Sequence, residues 1–249
     1  MKKSLLTLGA ILATLGITAF SFLNLSQTEI AQQVTCQHNP DLVYKIASRF
    51  HATVTKQDLD KASSVLDIIP IDAYSWWQVP FQSITVAILK EDKEITATGD
   101  DKELNVSQIK LLNSSNYSDN FYIKGRGKDN DPVTGRIEDY AYYFTSVPEK
   151  EAEYANGYNS LITYLREKSK DQTSVITEDN LRAAQIRFTV TKEGKVANPI
   201  LDSTSGYPAV DALLLELISN LPGKWNPAEN AEGEKVAQEL VFFFGIEGC

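Results

Sequence analysis

Histidine is scarce in this chain: His38 and His51 are the only two among 249 residues. Catalysis by a histidine base and zinc binding both draw on imidazole, so this scarcity leaves little for either. Cys36, His38 and His51 together could supply three metal ligands, but their spacing matches no zinc pattern. Cysteine is equally sparse, with Cys36 and Cys249 alone, which excludes a dense disulfide framework and any Cys-x-x-Cys motif. Basic charge is also in deficit. Lys and Arg number 24 against 33 acidic residues, for a net charge of -9, and no dense Lys/Arg stripe breaks this acidity. No electrostatic footprint for nucleic acid is present. Phosphate and calcium loops are missing as well. Gly125-Arg126-Gly127-Lys128 lacks the spacing and hydroxyl of a phosphate loop, and in KDNDPVTG the residues Pro132 and Val133 follow Asp129 and Asp131 where calcium ligands or glycine belong. No triad, paired catalytic carboxylates or cofactor fingerprint is found, so the expectation is a protein that is not an enzyme and needs no cofactor.

What is present begins at the N-terminus. Lys2 and Lys3 precede an apolar stretch from Leu5 to Leu25 that carries no charge, the next being Glu29. A secretory core needs about 7 to 15 apolar residues and a spanning helix about 20. This stretch lies between the two, so residues 1–30 read as a cleaved export signal or an uncleaved inner-membrane anchor, with 31–39 as a linker. Both readings place the remaining chain in the periplasm. There Cys36 and Cys249 either pair, closing a loop of roughly 200 residues worth at most ~5 kcal/mol, or remain independent thiols.

Residues 40–147 are β-rich. Leu59, Ala62, Leu66 and Ile69 follow helical spacing after Thr55 as N-cap, with Asp58 three residues on. Ile84–Leu89 and Glu94–Gly99 flank a charged turn and read as a hairpin. A short helix is expected from Ser107, then strands Phe121–Gly125 and Asp139–Val147. Few helices among several strands suggest a β-sandwich-like unit. Residues 148–249 are organised differently. Tyr158, Leu161, Ile162 and Leu165 form one helical face, Ile186, Phe188 and Val190 alternate as a strand, and Val196–Leu201 returns the chain. Pro208 opens a helix whose Val210, Leu213, Leu214, Leu217, Ile218 and Leu221 share a face, and Lys235–Phe244 reads as a last strand. The fold class expected is α+β.

The run IRFTVTKEGKVANPILDSTSGYPAVDALLLELISNLPGKWNPAENAEGEKVAQELVFFF is similar to the C-terminal domain of TonB-type proteins, and VPEKEAEYANGYNSLITYL resembles the segment that precedes it there. The resemblance covers residues 147–244, with Pro222, Trp225 and Pro227 in order between helix and strand. Residues 40–147 resemble the periplasmic β-sandwich domain of gliding-motor and type 9 secretion proteins. The first resemblance implies helices packed on an antiparallel three-stranded sheet, and a periplasmic module that takes part in envelope transport by binding outer-membrane receptors or other envelope proteins through an added strand. The second suggests the alternative of a structural component of an envelope, secretion or motility assembly. The departures are specific. Nine prolines are scattered, so no Pro-rich spacer exists, and the apolar stretch carries no histidine of the kind the transducers couple to the motor.

In a three-stranded sheet the final strand lies at an edge with unpaired backbone groups, which makes Val236, Gln238, Leu240 and Phe242 the expected partner-binding residues. Leu240–Phe244 is apolar on both faces, however, and the alternative is that the preceding domain covers the second face. Trp225 between two prolines reads as a core plug.

Overall fold

The computed structural model describes residues 41–70, 81–90, 93–128 and 136–246. The expected anchor or signal, the linker, both cysteines and the KDNDPVTG loop from Asp129 onward lie outside the described residues.

The chain enters through β1 (Val43–Ala47) and β2 (Ala52–Thr55). Thr55 caps α1 (Lys56–Lys61), accepting from the Asp58 amide at 3.1 Å while its hydroxyl donates to the Asp58 carboxylate. The helix expected through Ile69 stops early, at Ala62. The Asp67 carboxylate accepts from the backbone N–H groups of Ser63 and Ser64, offering the chain a local alternative to helical bonds. Those two bonds hold the Asp67 carboxyl below its ordinary pKa. A 3-10 turn at Val65–Asp67 follows, and Leu59, Ala62, Val65, Ile68 and Ile69 are all buried.

The expected hairpin forms as β3 (Phe81–Lys90) and β4 (Lys93–Gly99), paired from Lys90 opposite Lys93 to Ile84 opposite Gly99. α2 (Val106–Asn113) starts one residue before the expected Ser107, because Asn105 and Gln108 form a reciprocal capping box. Gln108 is fully buried and donates from Nε2 to the Ile84 carbonyl at 2.9 Å, fastening α2 to β3. β5 (Asn120–Lys128) and β6 (Ile137–Val147) complete a five-stranded sheet in the order β2-β6-β5-β3-β4, with β2 parallel to β6 and the other pairs antiparallel. One face carries Ile84, Val86, Ile88, Phe121, Ile123 and Phe144 into a core shared with Leu59, Leu111 and Leu112. The β-rich reading of this half holds, but the sandwich reading is corrected. Helices rather than a second sheet cover the apolar face, because the segments between strands carry apolar stripes of helical period.

In the second half, β7 (Glu153–Tyr154) precedes α3 (Tyr158–Thr173). β8 (Ala184–Val190) and β9 (Val196–Ser203) form a hairpin, and α4 (Pro208–Ser219) carries proline in its first turn. The short pieces β10 (Trp225–Asn226), β11 (Ala228–Glu229) and β12 (Lys235–Val236) lead to β13 (Gln238–Gly245). Trp225 is 5% exposed and packs edge-on against Tyr154, Tyr158 and Phe188, with centroids 5.5, 6.0 and 5.8 Å away. It plugs the core beneath α3 and α4.

The sheet of this half has four strands, in the order β1-β13-β8-β9, where three were expected. The added strand, β1, comes from residues assigned to the first half. β1 pairs antiparallel with β13 from Val43 opposite Gly245 to Ala47 opposite Val241. Tyr44 anchors it. The ring lies 5.1 Å from Phe244 and 6.0 Å from Phe242, the Arg166 guanidinium sits over it at 4.9 Å, and the hydroxyl meets Ser169 Oγ at 2.7 Å. The domain boundary at residue 40 is therefore corrected, since the β-rich half begins after this strand.

Candidate functional site

β13 is interior, so the strand expected to offer an open edge has neighbours on both sides. Beyond the last β1 pair, the Glu239 backbone N–H donates to Ser118 Oγ at 2.8 Å. Ser118 holds a left-handed backbone, φ 69, and its own amide is tied to the Ser146 carbonyl at 2.7 Å. The edge of β13 is thus closed by β1 and, past its end, by a serine of the other half. The four residues expected to bind a partner sit as follows. Leu240 and Phe242 are 1% and 0% exposed and face the core. Gln238 is 1% exposed; its side chain accepts from the Ala152 amide and donates to Glu151, each at 2.7 Å. Val236 lies on β12, opposite Ala228. Gln238, Leu240 and Phe242 present no open edge, so the expected site on β13 is corrected, and Val236 belongs to the short two-stranded β11–β12 pair. Val241, on the opposite face, is 1% exposed, so both faces of this strand are covered.

Four strands end the two larger sheets, and three are poor templates for a further strand. β9 contains Pro199, a left-handed Asn198 at φ 51, and two register shifts against β8. Proline and bulges are the devices that blunt an edge. β1 has only five residues, and β2 has four and turns directly into α1. β4 is different. Its seven residues, KEITATG, pair with β3 without a bulge and contain no proline.

The direction of its free backbone groups follows from one bond. Asn105 Nδ2 donates to the Thr98 carbonyl at 3.0 Å, so Thr98 points its backbone away from β3. In an antiparallel ladder this alternates, which turns the backbone groups of Thr96 and Glu94 outward as well. Side chains add an apolar element. A row of core residues crosses the sheet through Phe144, Phe121 and Ile88 and runs out at Ile95. The first three are at most 1% exposed, whereas Ile95 is 48% exposed because no strand lies beyond it. On the opposite face Tyr122 donates its hydroxyl to Glu94. Burial and that carboxylate push the Tyr122 pKa up to about 12, so it stays a neutral donor.

The signal for this edge was present in the sequence as the alternation of Glu94–Gly99, but which hairpin strand lies outermost depends on long-range pairing. Of the candidate metal ligands, only His51 is described, and it is exposed. Among the described residues no group of three His, Cys, Asp or Glu side chains could hold a metal, and no helix is long and apolar enough to cross a membrane. Comparison with protein-family models, with curated proteins and with solved structures returns no match for this chain.

Proposed function

We propose that this chain is a non-catalytic protein-binding module of the cell envelope, exported by its first ~30 residues, that engages an extended segment of an envelope protein by strand addition. The reading keeps the TonB-like role drawn from residues 147–244 but moves the contact from β13 to the outer edge of β4. One observation carries it: the core row Phe144, Phe121, Ile88 and Ile95 ends half exposed at an edge strand that has neither proline nor bulge. An incoming strand there would pair with Glu94 and Thr96 through main-chain bonds and bury Ile95 under one apolar side chain. Outer-membrane receptors and other periplasmic envelope proteins are the partner class. The compact pairing of β1 with β13 suits a protein that presents a fixed edge rather than an energy transducer, in line with the missing spacer and anchor histidine.

The test is Thr96→Pro in the exported full chain, with a photoreactive side chain at Ile95. The lost N–H faces solvent and Ile95 already has the extended backbone that precedes proline, so the fold should tolerate the change. Partner crosslinking at Ile95 should fall about tenfold or more for the loss of a bond and its local geometry, whereas Thr96→Val should retain it. Undiminished crosslinking by folded Thr96→Pro protein would overturn the reading.

A further inference from the structure

A groove of about 1290 Å³ is lined by Lys90 and Lys93 at the β3–β4 turn, Asp119 before β5, Arg49 between β1 and β2, and Arg187 and Glu239 on β8 and β13. It is polar, and its charges are unevenly satisfied. Arg49, Arg187, Lys90 and Lys93 supply four cations, while Asp119, Asp202 and Glu239 supply three anions, in a chain whose net charge is -9. Each anion is already engaged. Asp202 is shared by both guanidiniums, from Arg187 Nε at 2.8 Å and from Arg49 Nη2; Glu239 accepts from Arg187 Nη1 at 3.4 Å; Asp119 pairs with Lys90. The cations are not exhausted. A guanidinium has five N–H donors. Arg49 spends its remaining bond on Gln185 at 3.4 Å, which leaves Arg49 Nε and Arg187 Nη2 without a hydrogen bond among the described residues. Lys93 is exposed and makes no ion pair with a described residue.

We infer that this groove is a second binding site, for an acidic peptide segment whose carboxylates take up the surplus donors. Donors in excess of acceptors select an acceptor-rich ligand, and planar guanidiniums suit carboxylates in particular. The volume exceeds the roughly 300–1,000 Å³ of ordinary small-molecule pockets, and the cations are spread over β3, β4, β8 and the β1–β2 connection, so an extended chain fits better than a single anion. Leu89, Tyr117 and Ala237 give apolar wall for its backbone and small side chains. Lys93 lies on β4 beside Glu94, but the groove acts through side-chain charge whereas the β4 edge acts through strand pairing, so different substitutions test the two.

The experiment uses the full chain in non-ionic detergent and fluorescence anisotropy with a labelled octapeptide of alternating Glu and Ser, compared with the Gln and Ser version. The acidic peptide should bind, the neutral one should not, and binding should weaken as salt rises from about 50 to 300 mM. Lys93→Glu should weaken it about tenfold, through reversal of a charge that pairs with no described residue; Lys168→Glu on α3, on the helix side of the other sheet, should leave it unchanged. Equal binding of both peptides, an unaffected Lys93→Glu variant, or displacement by inorganic phosphate or a DNA oligomer at equal charge concentration would overturn the inference. Because Thr96→Pro leaves the groove cations in place, failure here and failure at the β4 edge are separable.

Discussion

Tyr44→Ala is expected to destabilise the protein by about 3–5 kcal/mol, the range for deleting a buried aromatic side chain. The residue is 7% exposed, and its ring bridges Phe242 and Phe244 of β13 while its hydroxyl reaches Ser169 on α3. Truncation removes the ring that holds β1 in place and leaves a cavity between sheet and helix. Tyr44→Phe retains the ring and loses one hydrogen bond. Ser169 keeps its bond to the Leu165 carbonyl at 2.8 Å, so no orphaned hydroxyl results and the cost should be about 1 kcal/mol. Urea denaturation of the two variants measures the difference. A loss below ~1 kcal/mol for the alanine variant would mean that β1 is not an integral strand.

The second large effect is expected at Gly194. The turn from Thr191 to Lys195 closes with Gly194 N–H donating to the Thr191 carbonyl at 2.9 Å, and Gly194 sits at φ 70. A Cβ there would lie 2.2 Å from the Trp225 carbonyl oxygen, a backbone atom that cannot swing aside. Gly194→Ala therefore combines about 1 kcal/mol for a left-handed alanine with the displacement of Trp225 from its contacts with Tyr154, Tyr158 and Phe188, worth about 1–3 kcal/mol. The total should be about 3 kcal/mol. Gly233→Ala separates the two contributions. Its φ is 78 and nothing lies within 4 Å of the added carbon, so it should cost only the backbone part. Equal melting temperatures for the two variants would show that the turn does not buttress Trp225.

Much of this architecture was legible because local signals agreed with tertiary structure. The Thr55 cap, the hairpin from Ile84 to Gly99, the alternation at Ile186, Phe188 and Val190, and Pro208 at a helix start are local, and each survives folding. The departures arise where polar residues occupy buried positions or where pairing is distant. α3 continues to Thr173 because Ser169 and Thr173 extend the stripe of Leu161 and Leu165. Their hydroxyls bond back to helical carbonyls, so hydrophobicity alone ends the helix too soon. Ser63 and Ser64 act in the opposite sense and break a stripe that looks continuous. No strand was expected at β1, and although Leu42, Tyr44 and Ile46 alternate toward the core, nothing local indicates pairing with a strand almost two hundred residues later. That single long-range pairing moves the final strand from the edge to the interior. It is also why the candidate site passes to β4, whose outermost position follows from the β5–β3–β4 order rather than from its own residues.

Residue-resolved amide hydrogen exchange on the full chain tests the central claim most directly, namely that β13 is closed and β4 is open. Every amide from Glu239 to Phe244 should be strongly protected, because alternate N–H groups face β8 on one side and β1 or Ser118 on the other. The amides of Glu94 and Thr96 should exchange quickly, while those of Ile95 and Ala97, bonded to β3, should be slow. Rapid exchange at every second residue of β13, together with protection at Glu94 and Thr96, would contradict the account and return the docking edge to the last strand.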